Sequence, residues 1–476
     1  MNIVLATAPD EGSPWNEGSF PPLGLLYVAT SVKQLPGVGV KVLDTFCEGL
    51  TMDQSVERIL GLAPDILGLT VTSKNFREAW KLTARVKAAR PGMLTIFGGI
   101  HPSLFDQGLL QEIPELDLAF RGEAEEGFPE LCRRLLEGKE IAGTPGISYR
   151  ANGHVVRGEL QRIKDLDALP VPDRSLLSYK GYGTQWYGFK FPDIPPLATM
   201  SSSRGCPWHC VFCSCTRMFG NRLRTRSAEN VFQELRQLYR DGFRAAFFFD
   251  DNFTGNVERV TRLCRLILEH DLKMYLACAG VLQNVPDATL KLMHQAGFDV
   301  IFVGVESGSD AQLKRYKKPT TSRKLADDIQ RARKANIAVI ASFITGEAGE
   351  TAADHEATKE FVRNVRPFFA EINPLMVHPG SLLWEKVNSP GSPEGLEQTR
   401  SRPVYHYPGQ LPKETIKSRE REFRHTFQLT WQDWRRRLPE ILRLALHNRI
   451  VRLLLKSVLK DRKILGQLLF GGTPRT

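Results

Sequence analysis

The sequence lacks the features of a membrane-spanning or exported protein. No run of about 18 uncharged apolar residues occurs in the chain, so we expect no transmembrane helix. Met1 leads into a short apolar stretch without a basic region before it, which argues against a signal peptide. Eight cysteines in a chain without an export signal indicate reduced thiols and not a disulfide scaffold. These absences predict a cytoplasmic protein.

Most of the chain lacks an excess of positive charge. The formal net charge is +11, but it is concentrated in one segment. Between Trp431 and Lys463 there are ten Lys or Arg residues against three acidic residues, so this segment alone carries +7. The remainder is close to neutral. A generally basic nucleic-acid surface is therefore not indicated, and we expect no nucleic-acid partner.

Two stretches of the chain alternate short β-rich runs with helical segments. In residues 1–140, glycine-rich turns follow the apolar runs, which predicts an N-terminal Rossmann-like, doubly wound parallel sheet. Residues 196–385 repeat the alternation six times, which predicts a partial (β/α)6 barrel. The Pro-rich residues 141–195 between them predict a linker, and residues 386–476 a helical C-terminal region.

Three cysteines follow the first predicted barrel strand. Cys206, Cys210 and Cys213 are spaced C-x3-C-x2-C in the run SSSRGCPWHCVFC. Three thiolates can ligate three irons of a [4Fe–4S] cubane and leave the fourth iron open. Structural zinc sites have four ligands, so this spacing does not suit them. Cys215 is a spare cysteine that we place nearby without a ligand role.

This motif and the strands after it, over about residues 197–380, resemble the radical S-adenosylmethionine (SAM) superfamily. The resemblance implies that the open iron binds SAM. It also implies that one electron from an external flavodoxin- or ferredoxin-type reductant splits SAM into methionine and a 5′-deoxyadenosyl radical. The residues that it assigns to SAM are Phe212, Asp250, Asp251, Glu306 and Gly346.

The resemblance gives these residues separate roles. Phe212 lies against the adenine, Glu306 in GVESGS binds the ribose, and Gly346 allows close backbone approach. The usual Gly-Gly-Glu signature is replaced by Asp250, Asp251 and an asparagine. Either aspartate could receive the methionine ammonium group, or instead cap a helix.

Four motifs in residues 1–140 resemble the cobalamin-binding domain of B12-dependent radical SAM enzymes: PPLGLLYVA, GLTVTS, FGGIHPS and RGEAEEGF. The chain has no D-x-H-x-x-G motif, so we expect no histidine ligand to cobalt and a base-off cobalamin. The residues that the resemblance assigns to cobalamin are Thr72, Ser73, Gly98, Gly99, His101, Arg121, Gly122 and Glu123.

The most common reaction of this class is methylation of an unactivated carbon or a phosphinate phosphorus. One SAM then supplies the methyl group through cobalamin and a second supplies the radical. The alternative within the class is cyclisation or rearrangement, as in the anaerobic cyclase of chlorophyll synthesis. A tRNA methylthiotransferase would add an N-terminal cysteine triad and an RNA-binding barrel, and neither occurs in the sequence. A non-catalytic corrinoid carrier would not explain the cysteine motif.

The basic segment 431–463 also carries apolar residues at helical spacing. We consider three interpretations: a helix packed over the barrel mouth with a solvated basic face, a helix that lines the substrate cavity, and an interfacial helix on anionic lipid. The third predicts peripheral membrane contact and a lipid-like substrate, as an alternative to a small-molecule substrate.

Overall fold

The structure is a computed structural model, and it describes residues 1–9, 20–179, 182, 185–186, 189–190, 197–387, 407, 409–432 and 442–453. The chain divides into two compact units. The first unit comprises residues 1–182, 214–220 and 384–403. The second comprises residues 183–213, 221–383 and 404–476.

The first unit is built on one seven-stranded sheet. Its strands are β1 (Asn2–Thr7), β2 (Gly39–Leu43), β3 (Ile66–Thr70), β4 (Leu94–Gly98), β5 (Leu118–Phe120), β6 (Ile147–Ala151) and β7 (His154–Val156). Its helices are α1 (Leu23–Lys33), α2 (Met52–Gly61), α3 (Phe76–Ala89), α4 (Ile100–Glu112) and α5 (Gly127–Leu136).

The side chains of β1 alternate between two hydrophobic cores, as the two-residue period of a strand requires. Val4 and Ala6 pack with apolar residues of α2, α3 and α4, whereas Ile3 and Leu5 pack with those of α1 and α5. The strand order is β2-β1-β3-β4-β5, all parallel. The predicted doubly wound sheet is therefore confirmed. In such sheets ligands bind at the carboxyl ends of the strands.

The sheet continues into a hairpin that the sequence analysis places in a linker. β6 pairs antiparallel with β5, and β7 pairs antiparallel with β6. Ile147 and Ser148 are buried, so this stretch belongs to the core of the first unit and not to a connector. The alternation of apolar and polar residues in this hairpin is short, and the glycines and prolines that flank it make the stretch resemble a linker in the sequence.

After residue 182 the chain forms a short hairpin, the six strands of a second sheet and a separate antiparallel pair, which consists of the two-residue strands 203–204 and 224–225. The strands are β8 (Gln185–Trp186), β9 (Phe189–Lys190), β10 (Leu197–Met200), β11 (Ser203–Arg204), β12 (Arg224–Thr225), β13 (Ala245–Phe248), β14 (Tyr275–Ala279), β15 (Phe298–Glu306), β16 (Ala338–Thr345) and β17 (Phe369–Pro374). The helices are α6 (Cys215–Phe219), α7 (Ala228–Arg240), α8 (Val257–Glu269), α9 (Asp287–Gln295), α10 (Asp310–Arg315), α11 (Ser322–Lys334), α12 (Ala352–Val365), α13 (Leu382–Val387) and α14 (Lys413–Gln432).

The second sheet has six strands in the order β10-β13-β14-β15-β16-β17, and every neighbouring pair is parallel. Because each strand is followed by its neighbour in sequence order, the sheet is the predicted partial (β/α)6 barrel. The carboxyl ends of its strands therefore share one end of the barrel. α14 packs along α12, β16 and β17, with the Phe423 ring 5.1 Å from that of Phe343 in β16.

The C-terminal segment 442–453 lies at the opposite end of the barrel. The buried Asn448 donates from Nδ2 to the carbonyls of Asp299 at 2.6 Å and Asn336 at 3.0 Å, which lie near the starts of β15 and β16. Arg449 donates to the carbonyl of Met274, immediately before β14, at 3.0 Å. The interpretations that place this segment over the barrel mouth or in the substrate cavity are therefore wrong for residues 442–453. The rest of 433–463 lies outside the described residues.

Candidate active site

The cysteine loop leaves the carboxyl end of β10 and is fixed by hydrogen bonds on both sides. Val211, between the second and third cysteines, donates to the carbonyl of Tyr316 at 3.0 Å and accepts from Leu383 N at 2.8 Å. Cys206 and Cys213 are partly buried and Cys210 is buried. The three predicted ligand cysteines therefore lie on one restrained loop at the end of the barrel where working residues collect.

The thiols of this loop are close enough to affect one another. Burial raises the pKa of Cys210 to about 12, with further contributions from Cys213 and Cys206. Burial also raises the pKa of Cys206. Metal binding removes such thiol protons, because the thiolate is the ligand. In the described part of the chain no three His, Cys, Asp or Glu side chains surround a single-ion position. Three thiols that each bind a different iron of a cubane do not need such an arrangement, so the donor set fits a cluster.

Asp250 anchors the start of the cysteine loop. It is 3% exposed and accepts hydrogen bonds from Ser202 N at 2.7 Å, Ser202 Oγ at 2.5 Å and Ser203 Oγ at 2.7 Å. The guanidinium of buried Arg259 lies 4.0 Å away. The structure therefore gives Asp250 a role within the protein, and not the predicted role of receiving the SAM ammonium group.

Asp251 is the exposed member of the same pair. Its Oδ2 accepts from Gly205 N at 2.9 Å, immediately before the first cysteine. Gly205 has φ of +88°, a conformation that favours glycine. Of the two aspartates, only Asp251 keeps a carboxylate accessible to a ligand.

Glu306 ends β15 in a strained backbone conformation. Its φ is +67°, and the register with β16 shifts between Gly304 and Glu306, which marks a β-bulge. Such bulges redirect side chains next to active sites. The carboxylate folds back over Gly304, where any Cβ would clash with it, and accepts from Lys318 Nζ at 3.2 Å.

Phe212 and Gly346 are held by neighbours that the sequence analysis did not identify. The Phe212 ring meets Tyr316 edge-on at 5.4 Å. Gly346 has φ of +100°, and a Cβ there would lie 2.8 Å from Ile416 of α14. The backbone conformation thus favours glycine at 346 independently of any ligand.

A buried carboxylate holds the loop after β16. Glu350 accepts from Thr345 Oγ1 at 2.9 Å and from Gly346 N, and it pairs with Arg419 of α14 at 2.7 Å. Sequence reasoning missed Glu350 and Arg419. The signal was weak, because the partners are 69 positions apart in the sequence.

In the first unit, the predicted cobalamin residues at the ends of β3 and β4 remain accessible. Thr72, Ser73, Gly98 and Gly99 are all partly exposed. No atom lies within 4 Å of a Cβ built at Gly98, whereas one at Gly99 would lie 2.9 Å from the carbonyl of Val71. This edge, which we call the glycine edge (residues 72–73 and 98–99), is partly exposed and has free space beside Gly98.

His101 is predicted at the cobalamin site but lies beneath it. Its side chain is 0% exposed, between the rings of Phe76 at 4.6 Å and Phe105 at 4.9 Å. Nδ1 hydrogen-bonds Ser73 Oγ at 2.9 Å, and Nε2 has no partner among the residues that the structure describes. Burial lowers the pKa of His101 to about 4, so the ring is neutral. His101 therefore supports Ser73, and aromatic side chains enclose its ring.

Arg121, Gly122 and Glu123 are also used within the protein. Arg121 donates to the Gly158 carbonyl at 2.5 Å, and a Cβ at Gly122 would clash with the carbonyl of Gln161. The buried Glu123 accepts from Ile163 N. These contacts hold residues 158–163 against the end of β5, so the motif has a structural role within the first unit.

Comparisons with known proteins agree with both units. Residues 200–362 match the model of the radical SAM superfamily, and residues 17–132 match the model of the B12 binding domain. The chain is 32% identical over 390 residues to an uncharacterized methyltransferase, PH0819, of Pyrococcus horikoshii, covering 81% of this chain and 83% of that protein. It is 28% identical over 364 residues to the anaerobic magnesium-protoporphyrin IX monomethyl ester cyclase of Rubrivivax gelatinosus, covering 74% and 64%.

A solved structure shows the same fold at low sequence identity. The cobalamin-dependent SAM radical enzyme OxsB, with aqua-cobalamin and SAM bound, superposes with a TM-score of 0.72 at 17% identity, covering 100% of this chain and 82% of that one.

The parallel sheet with a glycine edge and the partial barrel with a cysteine loop define a radical SAM protein with a B12-binding domain. The chain belongs to the cobalamin-dependent radical SAM enzymes. Its cofactors are those of the family: a [4Fe–4S] cluster, SAM and cobalamin. Among the described helices none is long and apolar enough to cross a membrane.

Proposed function

We propose that this enzyme methylates an unactivated carbon of a small or hydrophobic metabolite, with Cys206, Cys210 and Cys213 as the cluster ligands. The proposal rests on one observation: the same chain has both a cysteine loop at the end of β10 and an accessible glycine edge. Similarity to PH0819 over most of both chains supports methyl transfer.

When bound, the cluster supplies the electron that cleaves SAM, and cobalamin carries the methyl group. In our proposal the protein's own residues place these groups. Glu306 binds the ribose of SAM through the carboxylate that lies over Gly304, and Phe212 lies against the adenine. Asp251, which is exposed, receives the ammonium group in place of Asp250. Thr72, Ser73, Gly98 and Gly99 border the cobalamin.

The cyclase relative keeps a second reaction open, namely cyclisation or rearrangement in the same family. The two reactions differ in their products from SAM. A methyltransferase forms S-adenosylhomocysteine together with 5′-deoxyadenosine, because one SAM gives its methyl group and another its adenosyl radical. A cyclase forms 5′-deoxyadenosine alone.

The experiment is an anaerobic incubation of reconstituted enzyme with SAM, hydroxocobalamin and a one-electron reductant of the flavodoxin or ferredoxin type. Both SAM products are quantified with candidate metabolites, and deuterium-labelled methyl SAM identifies the methylated product by mass. Label in a metabolite with both products formed supports the proposal. Deoxyadenosine without S-adenosylhomocysteine, together with a desaturated or cyclised metabolite, contradicts it.

We also propose peripheral contact with anionic membrane through the segment 431–463. The supporting observation is that Leu442 and Leu446, one helical turn apart, are 50% and 68% exposed beside exposed Arg443. Arg449 and Arg452 do not belong to the proposed lipid face, since Arg449 binds the barrel and Arg452 donates to the carbonyl of Ala445. Exposed leucines flanked by basic residues are typical of interfacial helices.

A further inference from the structure

The loop that follows β16, residues 345–350, is held by side chains from the C-terminal part of the second unit. Three buried residues contact it, and we call them the C-terminal clamp: Tyr407, Ile416 and Arg419. All three lie outside residues 200–362, which match the radical SAM model. The loop is therefore fixed in part by residues that the matched domain does not include.

Two members of the C-terminal clamp hold the backbone of the loop. Tyr407 Oη accepts a hydrogen bond from Ala348 N at 3.2 Å. A Cβ at Gly346 would lie 2.8 Å from Cδ1 of Ile416, so α14 packs directly against this glycine. These contacts place α14 against the residue of the loop that the sequence analysis assigns to SAM.

Arg419 is the charged member of the clamp, and it reaches the loop through Glu350. Arg419 Nη1 lies 2.7 Å from Oε1 of Glu350, and the two side chains are 10% and 2% exposed. Oε2 of the same carboxylate accepts from Gly346 N, and Thr345 Oγ1 lies 2.9 Å from one oxygen and 3.1 Å from the other. A single carboxylate therefore connects the guanidinium of Arg419 to the amide of Gly346.

Removal of the Arg419 charge would change how Glu350 holds the loop. A buried carboxylate is costly when its cation is lost, because the remaining charge is neither paired nor hydrated. Glu350 would then take up a proton or turn toward water. Either change weakens its hydrogen bonds to Thr345 and Gly346, so the loop loses part of its order.

We propose that Arg419 is a positioning residue for SAM, which acts through Glu350 to hold residues 345–350 in the conformation that binds SAM. The inference rests on the proposed SAM site, to which Gly346 belongs by resemblance. A loop that is already ordered binds its ligand more tightly, since less conformational entropy is lost on binding. Arg419 itself need not contact SAM for this effect.

The test is equilibrium dialysis of labelled SAM against anaerobically reconstituted full-length protein, without a metabolite or a reductant. Arg419→Met removes the charge at similar length, and Arg421→Met, at an exposed position of α14, is the matched control. Residues that act on a ligand without touching it change its affinity by about two- to thirtyfold, so we expect the Kd of SAM to rise about tenfold in Arg419→Met. Arg421→Met should bind SAM as the wild type does.

The number of SAM molecules bound per cluster separates positioning from a general loss of structure. A positioning role raises the Kd and leaves this number unchanged, whereas partial misfolding lowers the number and leaves the Kd of the folded fraction unchanged. Arg419→Lys should restore most of the affinity, because it keeps a positive charge beside Glu350. Iron-loaded Arg419→Met that binds SAM with the wild-type Kd would overturn the inference.

A milder variant decides the matter if Arg419→Met does not load iron. Tyr407→Phe removes only the hydroxyl that accepts from Ala348 N. A raised Kd in Tyr407→Phe supports the inference, and an unchanged Kd overturns it.

Failure of the underlying assignments is recognised separately. Gly346→Ala strains the loop directly, because the φ of Gly346 is +100°. If Gly346→Ala weakens SAM binding and Arg419→Met does not, the inference fails while the assignment of Gly346 to SAM stands; if neither weakens it, both fail. The proposed methyl transfer is decided by the products from SAM, because no metabolite is present in the dialysis.

Discussion

Replacing Asp250 with asparagine distinguishes an anchor of the cysteine loop from a ligand of SAM. Asparagine has the same shape but leaves Arg259, which is buried, without its nearby carboxylate, and it weakens the hydrogen bonds to Ser202 and Ser203. Breaking a buried ion pair on one side costs about 3–5 kcal/mol. We take about 3 kcal/mol, because Arg259 also donates to the carbonyls of Ser202 and Phe253.

For a unit of this size such a loss lowers the Tm by about 6 °C, at about 2 °C per kcal/mol. The measurement is the thermal unfolding of cluster-free Asp250→Asn by circular dichroism, with SAM affinity measured separately on loaded protein. Asp251→Asn is the matched control, and it should shift the Tm by about 2 °C at most, because exposed charges contribute little. The reasoning is refuted if Asp250→Asn unfolds as the wild type and loses only SAM affinity. That result would restore the role that the sequence suggested.

Three further predictions follow from the site and the tail. Alanine at any one of the three predicted ligand cysteines should abolish the cluster absorbance and all formation of 5′-deoxyadenosine, because the remaining thiolates cannot hold a site-differentiated cubane. The control Cys47→Ala should keep both. A variant of a ligand cysteine that still cleaves SAM contradicts the ligand set. Because the pKa of His101 falls from 6.5 to about 4 on folding, its stabilising contribution is full above pH about 6.5 and is lost as pH falls toward about 4, by about 3 kcal/mol. Urea unfolding from pH 7 to 4.5 should therefore show a smaller pH dependence in His101→Phe than in the wild type, and equal slopes would contradict the neutral buried ring. Vesicle co-sedimentation at low salt should detect binding of the wild type to anionic but not to neutral vesicles. The Leu442→Ser, Leu446→Ser double variant should lose this binding. Wild-type protein that stays in the supernatant removes the support for a lipid-like substrate.

The alternation of strands and helices was predictable because each barrel strand is a compact apolar run. The run AVIASFIT coincides with β16, and its helix follows with clear spacing. Residues 147–156 were harder to predict, because two short strands with one buried face resemble a turn-rich connector. Their place in the sheet depends on pairing with β5, which the local sequence does not encode.

The sequence predicted the positions of the site residues better than it predicted their roles. The spacing of the cysteines identifies their loop, but the burial of Asp250 beside Arg259 depends on a helix that begins several residues later. The resemblance assigns His101 to the cobalamin site, and only the flanking Phe76 and Phe105 rings show that its side chain is enclosed by the protein.

The contacts of Asn448 have a consequence for the order in which the chain is made. A ribosome releases all six barrel strands before it releases Asn448, so the carbonyls of Asp299 and Asn336 must wait for their donor during synthesis. In the nascent barrel, the end that Asn448 contacts therefore stays uncovered until residues 442–453 have been synthesised. Variants truncated after α14 would keep every cysteine of the site, but the carbonyls of Asp299 and Asn336 would lose their donor. We expect such variants to be captured by chaperones and degraded by proteases more readily than the full chain.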